Sequence, residues 1–406
     1  MRVTFLTHYY PPEVGAPQAR IANLARALAG RGVEVTVHTC PPHYPDGSVP
    51  PPHRNRLWQR QPAEGVEVVR SLVYPAANRG FGRRLADHAS FAASAVLTSP
   101  LAPAADVVVA ESPPLFLADA AIGYARLKRA PLILHVADLW PDSAIELGVL
   151  RRPGLIAAAR RLETACYRAA AAIACPTAGI ASRLREREDA AGKVRLIPPG
   201  VELGRFSPGP RTGADVFRVL YAGTIGLSQG LGTLLDAASR LGPGIEVVIA
   251  GDGAEAGALR ERLRREGLRN VRMIGPVSHR TVPDLYAEAD LAVVLLRDRP
   301  LFRGAVPTKL IEAMSAGRPV LLSGAGEAAD LVREAGAGVV VPPERPAELA
   351  AAITAAAADR GRGERMGAAG RRAVERSHGP ARVTEEWLRL LSAVAEPSRA
   401  QRPGGG

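Results

Sequence analysis

The chain has 406 residues, 47% of them hydrophobic, with 41 glycines, 35 prolines and a formal net charge of +12. That length is enough for two hydrophobic cores, and the scattered Cys40, Cys166 and Cys175, with no C-x-x-C, support neither a disulfide framework nor a structural zinc site. Arginine supplies nearly all the positive charge, since only Lys128, Lys193 and Lys309 are lysines; the resulting basic surface suits anionic lipids or phosphorylated substrates, and no basic stripe interleaved with aromatics points to nucleic acid.

In chain order, residues 2–7 read as a buried strand, 8–17 as a loop, 18–29 as a helix with Ile21, Leu24, Ala25 and Leu28 on one face, and 33–38 as the next strand. This βαβ opening lacks G-x-G-x-x-G, which argues against a nicotinamide dinucleotide. The proline-rich stretch 41–62 is expected to be a long surface loop. A strand at 66–72 precedes a helix over 79–98, whose start carries Arg79, Arg83 and Arg84. Those charges fit either a solvated helix end or a membrane-surface contact.

Residues 106–110 and 131–137 are continuous apolar runs, as parallel strands require. Asp138 follows the second, where ligands of open α/β sheets gather. Helices at 155–170 and 179–187 flank a strand near Ile173, and 207–213 reads as a linker. The second half repeats the alternation, with strands at 217–222, 245–250, 271–274 and 291–296 and a helix at 231–241. After a polar loop at 297–305, Pro307 opens a helix with Leu310, Ile311, Ala313 and Met314 apolar, Gly317 ends it, and 320–322 returns as a strand. At the mouth of that unit the N–H groups of Thr308, Lys309 and Leu310 are expected to be unpaired, which favours an anion, and Lys309 adds a full charge. Glu312 lies one residue too far from Thr308 for a capping box, so its carboxylate is expected to accept two hydroxyl protons, as from a ribose. A plain Lys309–Glu312 surface pair, worth a few tenths of a kcal/mol, fits the same spacing.

The run Pro307-Thr-Lys-Leu-Ile-Glu312 with Met314, Gly317 and Pro319-Val320 resembles the donor-site signature of family 4 retaining glycosyltransferases. The resemblance extends over about residues 1–395. Glu312 takes the place of the second glutamate of an E-x7-E motif, and Gly304 stands where the first would be. That departure resembles the branch of bacterial O-antigen and capsule enzymes that includes N-acetylfucosaminyl transferases. The opening loop His8-Tyr9-Tyr-Pro-Pro-Glu-Val-Gly15, followed by Arg20, and the run Asp138-Leu-Trp140-Pro are similar to the same branch.

This likeness implies a GT-B α/β fold, with two Rossmann-like domains facing a cleft. An acceptor-binding domain would span 1–203, a nucleotide-sugar domain 204–375, a helix crossing back to the first domain 376–396, and a disordered tail 397–406. The segment 194–206 resembles the stretch that joins the domains. Gly15 would let backbone amides approach the donor diphosphate or sugar, while His8, Tyr9, Asp138 and Trp140 would face the acceptor. Many relatives carry Arg and Lys where Thr224 and Gln229 stand, so Lys309, Arg299 and Arg303 are the cations left to meet the diphosphate. Gly251, Gly253 and Val277 resemble positions around the nucleobase and ribose, and Thr308, Leu310 and Glu312 complete the donor set. Catalytic candidates are Asp138, Lys309 and His135. In the wider family a histidine precedes the aspartate; here Ala137 does, and His135 reads either as its substitute or as a buried core histidine.

The implied reaction is retaining transfer of an N-acetylated hexosamine from a UDP-sugar to a lipid-linked polysaccharide precursor. No D-x-D occurs, so neither a metal nor another cofactor is expected. A soluble transferase acting on a small natural product and a non-catalytic nucleotide-sugar-binding protein are the competing readings. No signal peptide or membrane span is expected, which places the protein in the cytoplasm, peripheral to the inner membrane face.

Overall fold

A computed structural model describes every residue except 14, 45, 78–80, 207–215, 279 and 401–406. Arg79, the linker expected at 207–213 and the last six residues therefore lie outside the described residues. The chain divides into two compact units, one of Met1–Gly200 with the segment that starts at Pro380, the other Val201–Gly379.

The first unit contains β1 (Arg2–Leu6), α1 (Ala16–Ala29), β2 (Glu34–Thr39), β3 (Trp58–Ala63), β4 (Val66–Ser71), α2 (Phe81–Thr98) and β5 (Val107–Ser112). It continues with α3 (Leu115–Lys128), β6 (Leu132–Val136), α4 (Asp142–Glu146), α5 (Pro153–Ala169), β7 (Ala172–Cys175), α6 (Ala178–Arg185) and β8 (Val194–Leu196). The sheet order is β3-β4-β2-β1-β5-β6-β7-β8. All neighbours are parallel except β3 and β4, whose antiparallel register sets Trp58 opposite Ser71. The stretch expected as a long loop thus contains an edge strand. Its sequence, Trp-Gln-Arg-Gln-Pro-Ala, has no alternation of apolar and polar residues, because neither face of this edge strand is buried. Helix α3 is an unexpected element, with much of its surface apolar and so without a helical stripe to read.

The second unit holds β9 (Phe217–Ala222), α7 (Gly232–Ala238), β10 (Ile245–Ala250), α8 (Ala256–Glu266), β11 (Val271–Gly275), α9 (Val282–Glu288) and β12 (Leu291–Leu295). Then come a 3-10 turn at Pro300–Gly304, α10 (Thr308–Ser315), β13 (Val320–Ser323), α11 (Glu327–Glu334), β14 (Gly338–Val341), α12 (Pro346–Ala358) and α13 (Arg360–Ser377). Its sheet, β11-β10-β9-β12-β13-β14, is parallel throughout. Counting from β9, that is the doubly wound order 3-2-1-4-5-6, which places a crevice beyond the carboxyl ends of β9 and β12. In the first unit the parallel strands repeat the scheme, with the equivalent point between β1 and β5.

The last helix, α14 (Pro380–Ala400), belongs to the first unit. It starts at Pro380 rather than 376, since α13 runs on to Ser377, and it is still helical where a tail was expected to begin at 397. Val383, Trp387, Leu390 and Leu391 join the core formed by Val3, Phe5, Leu28 and Val107. Trp387 is 4% exposed. Trp387→Ala should therefore destabilise the first unit by about 3–5 kcal/mol, seen as an earlier unfolding transition in urea; an unchanged midpoint would mean that the helix contributes little to this core.

Candidate active site

At the switch point of the second sheet, β9 delivers Tyr221 and the loop that follows it, and β12 delivers Leu295 and Arg297. Across from them α10 begins. Pro307 is its N-cap, extended at ψ 136, and no side chain caps the helix. The N–H of Leu310 is already taken by the Pro307 carbonyl at 2.9 Å, and the Leu310 side chain is buried in the core. Leu310 is thus removed from the expected donor set. The N–H groups of Thr308 and Lys309 keep their place at the positive end of the helix.

Lys309 reaches from α10 back over β9. Its Nζ lies 4.1 Å from the centroid of the Tyr221 ring and donates to the Tyr221 hydroxyl. That hydroxyl in turn donates to the Thr224 carbonyl at 2.5 Å. Desolvation lowers the Lys309 pKa to about 7, opposed by the charge of Glu312. Tyr286, from α9, donates to the Lys309 carbonyl at 3.1 Å. The chain therefore holds a lysine whose charge is costly in the absence of an anion, beside a helix start suited to one. Glu312 follows on the same helix and is partly buried.

Gly223 opens the loop after β9 with φ 141, and a Cβ there would sit 2.9 Å from Lys309 Cε. Its absence of a side chain is what lets the ammonium lie against the loop. Gly251, also at φ 141, packs so closely that a Cβ would fall 1.9 Å from the Gly223 carbonyl oxygen, and a Cβ on Gly253 would meet the Ile225 carbonyl oxygen at 2.5 Å. These two glycines interlock neighbouring loops. Gln229 is likewise committed inside its loop, accepting from the Gly226 N–H at 3.1 Å. Thr224 is exposed, and Val277 is partly buried against the second unit's core. Of the expected cations, Arg299 is exposed and donates to the Asp298 carbonyl, and Arg303 pairs with Asp298 at 3.3 Å. Arg297 is a cation that sequence reading passed over. It stands beside Gly230, where a Cβ would lie 3.0 Å from its Cγ, and it pairs with Glu255 at 3.1 Å.

In the first unit the switch point gathers Thr7, Arg20 and Glu111. Arg20 pairs with Glu111, and the Thr7 hydroxyl lies 3.5 Å from it. Glu111 is buried at the end of β5 and was not anticipated, since nothing in Ala-Glu-Ser-Pro-Pro distinguishes it from a solvated loop residue. Gly15 is the N-cap of α1, with an extended backbone and the Gln18 side chain folded beneath it. Asp138 follows β6, remains exposed, and has a pKa raised by desolvation against the pull of the Ser143 hydroxyl and the Leu139 N–H. Trp140, close by, is partly buried.

Two expected residues lie in the interior. His135 is 4% exposed, stacks edge-on to Trp387 at 5.6 Å, and has a pKa pushed well below its usual value by burial. It has the burial of a core histidine, and its Nδ1, without a hydrogen-bond partner, lies 3.8 Å from the Glu111 carboxylate. His8 is 1% exposed and enclosed by Tyr9, His43, His88 and Phe91, so it offers an acceptor no direct contact. Tyr9 is partly exposed and its hydroxyl meets His88 Nε2 at 3.2 Å.

Two family descriptions match the chain: a glycosyl transferase 4-like domain over residues 15–200 and glycosyl transferases group 1 over 209–373. WcaI of Escherichia coli (strain K12), a glycosyl transferase assigned to colanic acid biosynthesis, is 27% identical over 76% of this chain and 79% of its own. Among solved structures, sucrose-phosphate synthase of Thermosynechococcus elongatus superposes with a TM-score of 0.75 at 18% identity, covering 98% of this chain and 99% of that one. HepE of Anabaena, in complex with UDP and glucose, gives 0.73 at 19% identity over 97% of this chain and 100% of that one. One glycosyltransferase domain follows the other along the two units, and the chain is a glycosyltransferase enzyme of the family 4 type, built on the GT-B fold.

Proposed function

We propose that the enzyme transfers a sugar, an N-acetylated hexosamine, from a UDP-sugar to a lipid-linked polysaccharide precursor, with retention of the anomeric configuration. The observation that carries this reading is Lys309 at the start of α10, its pKa lowered to about 7 by desolvation against the pull of Glu312 on the same helix. The donor diphosphate would be met by Lys309 and the N–H groups of Thr308 and Lys309, and the ribose hydroxyls by Glu312. Charge that develops on the leaving phosphate is stabilised by Lys309 without a metal at that site. Gly304 leaves no carboxylate at the position of the first glutamate, which favours attack on the face the leaving group departs from, with the departing phosphate as base. HepE, crystallised with UDP and glucose, and WcaI, named for colanic acid biosynthesis, support the donor and acceptor classes. The test is a panel of UDP-sugars supplied with a lipid-linked acceptor and no added metal. Product of inverted configuration by NMR, or turnover only with Mn²⁺ or Mg²⁺, would overturn the mechanism.

A membrane surface is part of the same reading. No described helix is long and apolar enough to cross a membrane. Arg83 and Arg84 are exposed in the first turn of α2, and Leu72, Tyr74 and Leu85 are exposed nearby in the chain. Such a basic and apolar surface suits anionic headgroups. Replacing Arg83 and Arg84 by Gln should weaken binding to anionic vesicles by about 1 kcal/mol per charge; equal sedimentation at low salt would assign them to an ordinary solvated helix end.

Lys309→Ala should lower kcat/KM by roughly ten- to a hundred-fold, the equivalent of a charged hydrogen bond of about 1.5–3 kcal/mol, mainly through kcat. Glu312→Gln should act mainly on the donor KM, because the ribose contact is alike in ground and transition states. Wild-type kinetics in both variants would remove the donor assignment.

Binding should also depend on pH in a stated direction. With Lys309 near pKa 7 in the free enzyme and higher beside a diphosphate, UDP binding takes up a proton between those two values. Affinity should hold near pH 7 and fall as pH rises above it, by at most about tenfold per unit. In Lys309→Ala the slope should vanish, and a slope that survives would place the titrating group elsewhere.

A further inference from the structure

A second constellation lies in the first unit, around the buried His8. His8 follows β1, Cys40 follows β2, His43 sits two residues beyond Pro41, and Asp87 is on α2. All four are nearly inaccessible, at 1%, 1%, 2% and 4% exposure. One ligand atom from each of His8, Cys40 and His43 can be chosen so that all lie within 4.8 Å of one another. The Asp87 carboxylate meets His43 Nε2 in a hydrogen bond of 2.9 Å, and its other oxygen lies 3.1 Å from His8 Nε2 without the alignment of a hydrogen bond. The Nδ1 of His43 is 3.9 Å from the Cys40 sulfur, and neither ring nitrogen of His8 has a hydrogen-bond partner although both are fully buried. An orphaned imidazole nitrogen at such depth is costly.

We propose that His8, Cys40 and His43 bind a borderline-soft divalent cation of the zinc class, with Asp87 as the outer carboxylate that orients both rings. The donor set of two imidazoles and a thiolate suits zinc or cobalt and excludes magnesium and calcium, which require oxygen ligands. Tetrahedral zinc, with its nitrogens near 2.0–2.1 Å and its sulfur near 2.3 Å, needs ligand atoms roughly 3.3–3.8 Å apart. The cluster is therefore preformed to within about 1 Å of that spacing. A carboxylate on the far nitrogen of each ligating histidine is the usual outer support of such sites. Binding displaces the thiol proton that Cys40 now directs to the His8 carbonyl at 3.0 Å, and the His43 Nδ1 proton that meets the Pro41 carbonyl at 2.9 Å. Both protons leave to solvent as the metal–sulfur and metal–nitrogen bonds form. The ion would tie the ends of β1 and β2 together and, through Asp87, to α2.

Cobalt is the direct probe, because thiolate ligation gives a sulfur-to-cobalt charge-transfer band that needs no enzyme assay. Chelator-stripped full-length protein should bind one equivalent of Co²⁺ with that band and with tetrahedral d–d absorption, and one equivalent of Zn²⁺ should bleach both. Cys40→Ser should abolish the band, while Cys166→Ser should keep it. Asp87→Asn should weaken binding by about 10–100-fold. A wild type without the band at stoichiometric Co²⁺, or a band that persists in Cys40→Ser, overturns the proposal. If Cys40→Ser does not fold, protection of Cys40 from alkylation by Zn²⁺ in the wild type decides instead, and equal labelling with and without the ion rejects the site. None of these readouts depends on the donor or acceptor assigned above.

Discussion

Lys309 can be held over the face of Tyr221 only because three conditions meet at one point of the second sheet. The strand order must open a crevice between β9 and β12, α10 must begin there, and the residue after β9 must lack a side chain. Gly223 meets the last condition, and Gly251 lets the neighbouring loop close in behind it. A cation on an aromatic face in a half-dry setting is stabilised by the ring, yet it loses more in hydration than it recovers, which is why its pKa falls. That imbalance is what makes the site receptive to an anion. Tyr221 occupies the ammonium in the free enzyme, and a diphosphate would be the stronger partner.

The two units solve the same packing problem with the same topology and then diverge at their switch points. In the second, Lys309 has a neutral hydroxyl and an aromatic face as its nearest partners. In the first, Arg20 neutralises Glu111 within the fold itself. Asp138, at the next strand end, is an exposed residue, and its carboxyl, hydrogen-bonded by the Ser143 hydroxyl and the Leu139 N–H, is raised by desolvation. Charge that is satisfied internally holds a loop in place, and charge left exposed is available to a substrate. That difference separates Glu111 from Asp138 more clearly than their similar positions would suggest.

How much of this could be read from the chain depended on how close in sequence the cooperating residues lie. Lys309, Glu312 and the helix that carries them form one short run, so their relation was visible through helical spacing. Tyr221 lies 88 positions from Lys309, and no periodicity links them. The same holds for Glu111 with Arg20, and for Cys40 and Asp87, which come from different elements. The parallel strands announced themselves as unbroken apolar runs, whereas β3, polar and at an edge, became a strand only through pairing with β4. Leu310 shows the opposite failure: its place at a helix start suggested a free N–H, and the tighter first turn with Pro307 consumed it. His135 was legible as two alternatives, and its contact with Trp387, far along the chain, could not be read from spacing.

That α14 completes the first unit has a bearing on how the protein is made. The interior around Val3, Phe5 and Val107 includes side chains from Val383 to Leu391, which leave the ribosome only after both sheets have been synthesised. The contiguous unit Val201–Gly379 can close as soon as its own last strand and helices emerge. The first-made half must wait with an apolar groove uncovered, so the domain begun first is the one finished last. During that interval the nascent chain presents the kind of surface chaperones bind.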